Sequence, residues 1–239
     1  MFLDPLYIIL MLVTIVLAGG AAFMVKSRFN KGLKVPISSG YTGAQVAEAL
    51  LRNAGISNVS VYMHQGFLSD HYNPMKRTLH LSPEVYNGRS AAAAGVAAHE
   101  VGHAIQHAQD YFPMWIRSTI VPAANIGSRL GPWIVIAGIM LGAGAEMSHG
   151  IGHTLAVVGV ALFGVATLFS LVTVPVEFDA SARAKEHLQQ MGIIRPGAEA
   201  NAVSSVLTAA GLTYVAAAIN SLLSLIYWAY RAGLIGGRR

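Results

Sequence analysis

Residues 97–107 read Ala-Ala-His-Glu-Val-Gly-His-Ala-Ile-Gln-His, and the five at the centre, His99-Glu100-Val101-Gly102-His103, decide how the rest of the chain is read. Histidines four apart share one helix face, so both imidazoles can reach the same metal ion, and Glu100 beside them is placed to hold a water on that ion. The surrounding run from about Arg89 to Gln109 is rich in alanine and free of proline until Pro113, which predicts the helix that carries the pair. The fold that follows must bring further ligands to this helix. It must do so in a chain with several segments apolar enough to cross a membrane.

Composition points the same way. Of the 239 residues 54% are hydrophobic and only 11% charged, with a mean hydropathy of +0.52, whereas a soluble globular domain carries about 25% charged residues. A mostly α membrane protein is expected. There is no cysteine, so disulfides and thiolate ligands are excluded and a metal site must draw on His, Glu or Asp. The net charge is +5, but the basic residues cluster beside apolar segments, where they act as topology signals rather than as a nucleic-acid surface.

Tyr7 to Val25 is uncharged and close to the roughly 20 residues that a crossing needs. It lacks a basic leading region and a small-residue cleavage site, and so reads as an uncleaved anchor over residues 1–25. Lys26, Arg28, Lys31 and Lys34 follow it, and the positive-inside rule puts them in the cytoplasm. Ser118 to Ala145 is apolar but interrupted by Pro122 and Arg129. Met147 to Val176 contains no charged residue, and Ala200 to Tyr230 is again uncharged, ending in Tyr227, Trp228 and Tyr230 as an interfacial aromatic cluster. About four crossings result. The loop with Glu146 and His149 then lies outside, as do Arg231, Arg238 and Arg239, the last three against the rule.

Between the first crossing and the second, residues 26–117 read as a small α+β catalytic region. Thr42 with Gln45 has the spacing of a capping box, and Val46, Ala49, Leu50 and Ala54 recur at helical intervals up to Gly55. Val59, Val61 and Met63 alternate with polar residues, as do Leu79 and Leu81 around His80, predicting two strands with Gly66 and Asn73-Pro74 in the turns between.

Two histidines leave a zinc ion under-coordinated, and a catalytic site takes three protein ligands plus water. Directly after the third apolar segment stands Pro175-Val176-Glu177-Phe178-Asp179-Ala180-Ser181. Pro175 can open a new helix, expected over 177–200, and the membrane hairpin of residues 118–176 returns the Glu177 carboxylate to the side of the His99–His103 helix. His107 lies one turn beyond His103, but third histidines of that kind need a longer, glycine-broken spacing. It is expected to support the site or face solvent. His149 and His153 sit at the outer loop and are expected to do no chemistry.

At these residues the chain resembles the YugP-type membrane zinc metallopeptidases of bacteria. The likeness rests on the 97–107 run, on Pro175 to Ser181, on Ser69-Asp70-His71-Tyr72-Asn73-Pro74 and on Leu212-Thr213-Tyr214-Val215-Ala216-Ala217, and covers nearly the whole chain. More distantly it is similar to HtpX-like and CAAX-processing gluzincin proteases, in which a glutamate on a later helix completes the zinc site. The resemblance implies one catalytic Zn2+ held by His99, His103 and Glu177, with Glu100 as general base. It implies a membrane-bound endopeptidase with a zincin-like cytoplasmic domain at the inner (plasma) membrane, acting on protein or peptide substrates in or near the bilayer. It further implies that substrate adds as a strand, for which Thr78-Leu79-His80-Leu81 is the expected edge. His71, Tyr72, His80 and Tyr214 all have the chemistry of an oxyanion donor. The distant relatives carry an Asp four residues after the ligand Glu; here that position is Ser181 and an Asp stands at 179, so the group that orients a ligand histidine is unassigned.

Two other classes fit less well. A site-2-like intramembrane protease takes its third ligand from an Asp-Gly pair, and the chain has none. A metal transporter or non-catalytic metal-binding scaffold is the other alternative, and a transporter would place ionisable ligands inside its crossings. Oligomeric state and any regulatory membrane partner are not legible in the sequence.

Overall fold

The computed structural model describes residues 4–142 and 150–236. Seven helices and three strands follow in the order α1 (Pro5–Gly32), α2 (Gly43–Asn53), β1 (Ser60–Met63), β2 (His71–Asn73), β3 (Thr78–Leu81), α3 (Pro83–Tyr86), α4 (Ala91–Ala108), α5 (Phe112–Met140), α6 (Ile151–Gln190) and α7 (Ala198–Arg231). Four of them, α1, α5, α6 and α7, are long and apolar enough to cross a membrane. Glu146, His149, Arg238 and Arg239 lie outside the described residues.

Two compact units divide the chain. The first gathers Met1–Gly19, Ile116–Val174 and Tyr214–Arg239. Within it α5 and α6 approach through small residues: a methyl group added at Gly131 would meet the carbonyl of Gly159, and one at Gly138 would meet the backbone of Gly152 and Ala156. Such contacts let helix backbones close on each other without a hydrophobic drive between them. Between α6 and α7 of this unit Thr167 Oγ1 lies 2.9 Å from Ser221 Oγ. At one end Asp4 Oδ2 accepts from Tyr227 Oη at 3.1 Å and from the Arg231 guanidinium at 2.8 Å. The start of α1 and the end of α7 therefore meet. Arg231, which sits awkwardly with the positive-inside rule, is partnered by this carboxylate.

The second unit comprises Gly20–Trp115 and Pro175–Thr213. The expected capping box opens α2, with Gln45 N–H donating to Thr42 Oγ1 and Thr42 N–H donating to Gln45 Oε1. The core joins Phe29, Val46, Leu50, Leu79, Leu81 and Val85 to the alanines of α4 and to Leu188, Val203 and Leu207. Helix α4 starts at the N-cap Ser90, whose hydroxyl accepts from Ala93 N–H. It is buried from Ala91 to Gln106 on almost every side, and its alanines, small enough for neighbours to close in all round, account for that. The sheet runs β1-β3-β2, with β1 parallel and β2 antiparallel to the central β3.

Three details depart from the sequence reading. The short β2 and the single turn α3 have no counterpart in the sequence pattern, because three or four residues carry no periodicity. Pro175 does not open a new helix: α6 runs unbroken from Ile151 to Gln190 with Pro175 inside it. A proline removes one backbone donor and favours a kink, yet the helical assignment continues through it to Gln190 and includes Glu177. Lastly, β3 is not an edge. Both its sides are hydrogen-bonded, and the free edges belong to β1 and β2.

Candidate metal centre

Two helices of the second unit build the site. His99 and His103, four apart on α4, present their rings to the same side with centroids 4.7 Å apart and planes at 80°. Helix α6 supplies Glu177, only 1% exposed, whose Oε2 lies 3.2 Å from His99 Nε2 and 3.5 Å from His103 Nε2. Donor atoms about 2.1 Å from a tetrahedral zinc ion are separated by about 3.4 Å. The observed spacings fit that figure, and among the described residues these three form the group able to hold a metal. Close contact of the two helices is what permits the spacing. Gly102 faces Ala180, and a methyl group added to Gly102 would come within 2.6 Å of the Ala180 carbonyl oxygen.

The nitrogens turned away from the cluster are both engaged. Ser181 Oγ stands 3.1 Å from His99 Nδ1 and Gln106 Oε1 stands 3.0 Å from His103 Nδ1. Gln106 is fully buried, and its amide nitrogen donates to the Val176 carbonyl at 2.8 Å and to Asp179 Oδ2 at 2.7 Å. Both amide hydrogens face acceptors, so the amide cannot be flipped, and its oxygen must accept from His103. His103 thus carries a proton on Nδ1, and Nε2 is the nitrogen left to face the cluster. Asp179 is held in turn by Arg183 Nε at 2.6 Å, and Arg183 also reaches Gln109 Oε1 and lies over the Tyr111 ring. A chain of contacts from Arg183 through Asp179 and Gln106 therefore ends on a histidine of the cluster.

Electrostatics agree with a site made for positive charge. Burial works against a charge on His103, but its hydrogen bond to Glu177, the charges of Glu100 and Glu177 and the contact with Gln106 outweigh it, raising its pKa above the ordinary histidine value. Glu100 is 8% exposed. Its charge also reaches Asp70, whose carboxyl is raised by burial, lowered in part by the backbone N–H of Ser82 and raised again by Glu100.

Of the other residues named from sequence, Tyr72 faces α4 and its hydroxyl lies 2.9 Å from His107 Nδ1. His107 is thereby taken up by β2 and stands apart from the cluster. His71 and His80 pair across β2 and β3 on the opposite face of the sheet, away from the side where Leu79 and Leu81 are buried. Tyr214 and His153 belong to the first unit. The sequence reading missed Gln106 and the role of Ser181. Their signals are spacings: three residues after His103 and four after Glu177.

Comparisons with known proteins extend this. The chain is 43% identical over 221 residues to the "Putative membrane protease YugP" of Bacillus subtilis (strain 168), which covers 92% of this chain and 94% of that protein. No solved structure matches. The family described as "Putative neutral zinc metallopeptidase" matches residues 7–233, a span that takes in the His99–His103 helix, Glu177 and all four apolar helices, and the chain belongs to that family.

Proposed function

We propose that the protein is a membrane-bound zinc endopeptidase in which His99, His103 and Glu177 hold one Zn2+ and Glu100 is the general base. The observation that carries this reading is the buried Glu177 carboxylate set between the two imidazoles of α4. When bound, zinc supplies Lewis acidity, lowering the pKa of a coordinated water toward about 7 and polarising the scissile carbonyl. Glu100, next to His99 on the same helix, takes the proton from the attacking water and returns it to the leaving amine. Ser181 and Gln106 hold the two imidazoles in the tautomer that leaves Nε2 free. Substrate lies along the free edge of β2, the antiparallel outer strand whose Tyr72 side chain reaches α4.

On this reading the catalytic unit faces the cytoplasm at the plasma membrane and acts on membrane or membrane-proximal proteins. Lys26, Arg28, Lys31 and Lys34, all exposed at the end of α1, support that side. The deciding experiment is Glu100→Gln in the full chain in detergent. Retained zinc with cleavage of an unfolded test protein abolished is the expected result; undiminished cleavage overturns the assignment of Glu100.

A further inference from the structure

The end of α1 carries a hollow that plays no part in the metal centre. Its volume is about 430 Å³, and it is lined by Phe23, Lys26, Ser27, Asn30, Lys31 and Lys34. Phe23, Ser27, Asn30 and Lys34 recur at intervals of four, three and four, which sets them in one row along the helix. Lys26 and Lys31 stand on either side of that row. Helix α1 ends at Gly32, but Leu33 N–H donates to the Phe29 carbonyl and Lys34 N–H to that of Lys31, so the turn persists far enough to bring Lys34 into line. At about 1.5 Å per residue the row is about 16 Å long.

The two ends of the row differ in chemistry. Phe23 belongs to the uncharged stretch Tyr7–Val25 and is 76% exposed. Lys31 and Lys34 lie beyond that stretch, with the polar side chains of Ser27 and Asn30 between. Among the described residues no carboxylate lines the hollow, and none of the three lysines forms an ion pair. Three cations around one space repel one another, and an anion held between them relieves that repulsion. Lysines directly beyond an apolar crossing also stand at the depth of phospholipid headgroups, where each adds to the attraction for anionic lipid. The occupant that matches is anionic at one end and apolar at the other. A free phosphate fills only the lysine end and leaves Phe23 uncovered.

We propose that this hollow holds the headgroup of one anionic glycerophospholipid, with its phosphate among Lys26, Lys31 and Lys34 and its first acyl carbons against Phe23. Ser27 and Asn30 donate to the glycerol and ester oxygens. Arg28 projects from another face of α1 and takes no part. The site rests on α1 being a membrane crossing. It uses none of the groups assigned to catalysis, so it stands or falls independently of peptidase activity.

The test is native mass spectrometry of the full chain in detergent, titrated with dioleoyl phosphatidylglycerol. One tightly held lipid per chain is expected, with dioleoyl phosphatidylcholine bound roughly tenfold more weakly or worse. Lys26→Gln, Lys31→Gln and Lys34→Gln should each weaken phosphatidylglycerol roughly fivefold, the effect of one cation at a lipid surface, and Lys31→Arg should retain it. Arg28→Gln removes the same charge from a neighbouring position and should leave the affinity unchanged. Phe23→Ser should weaken the lipid, and glycerol 3-phosphate, a headgroup without chains, should bind far more weakly than the lipid does. These side chains are all exposed, and circular dichroism checks that the variants keep their helices. Equal affinity for the two lipids overturns the proposal. So does a loss in Arg28→Gln as large as in the lysine variants, which means diffuse attraction alone, or glycerol 3-phosphate bound as tightly as the lipid, which means a simple anion site.

Discussion

Ser181 stands one helical turn after Glu177 on α6, and its hydroxyl lies 3.1 Å from Nδ1 of His99 on α4. One helix thus brings a carboxylate to one nitrogen of the imidazole and a hydroxyl to the other. A neutral hydroxyl therefore orients the imidazole from the side away from the cluster.

Ser181→Ala removes that hydroxyl and leaves His99 free to rotate. Zinc affinity should fall about 10–100-fold, the usual effect of losing such a partner, with helical content unchanged. Competition against a chromophoric chelator measures it; an unaltered affinity would mean that His99 is oriented by packing alone.

Gln106→Leu keeps the volume but removes three hydrogen bonds from a fully buried position. Each buried partner left unsatisfied costs about 1–3 kcal/mol. The thermal midpoint of the detergent-solubilised chain should drop by several degrees and zinc affinity should fall with it. Gln109→Leu, which touches only the outer Arg183 contact, serves as the control.

Gly102→Ala places a methyl group against the backbone of Ala180. Overpacking of this kind costs about 1–3 kcal/mol. Here the relaxation open to the protein is to move α6 from α4, which lengthens the 3.2 and 3.5 Å separations from Glu177 to the histidines. Zinc content after dialysis should fall sharply while the protein remains folded by circular dichroism. Full zinc content in Gly102→Ala would show that the helices can part without disturbing the cluster.

Glu177→Gln and Glu100→Gln separate the two carboxylates by role. The first should lose tight zinc, because an amide is a poor ligand, and the second should retain it. Metal analysis of the two purified proteins side by side is sufficient, and equal zinc retention would place the third ligand elsewhere.

A fluorescent reporter fused after Lys34 should be active in the cytoplasm, and one inserted after Leu141 should be silent there. The reverse pattern would invert the proposed orientation and move the zinc site to the outer face.

Much of this was legible because the informative patterns are local. His99, Glu100 and His103 declare themselves by spacing on one helix, and the capping box at Thr42 and Gln45 does the same for α2. The apolar helices are visible from length alone. Long-range pairing leaves fainter marks. That His71 and His80 face each other across a ladder depends on β2, whose three residues have too little pattern to register, and assigning the edge to β3 failed for the same reason. Pro175 has a real propensity for helix starts, but a proline can also stand inside a long helix at the cost of one backbone bond, as it does in α6. Gln106 was hidden because a glutamine on a buried face has no motif. Only the acceptors around it, Val176 and Asp179 from a distant helix, make it a fixed donor.

The division of the ligand set between α4 and α6 also has a consequence in time. His99 and Glu177 are 78 residues apart in the chain, and a ribosome adding roughly 5–20 residues per second takes several seconds to travel from one to the other. During that interval the His99–His103 helix exists without its carboxylate. The growing polypeptide therefore emerges with two of the three side chains of the cluster, and the set is complete only once Glu177, late in the third apolar helix, has been added.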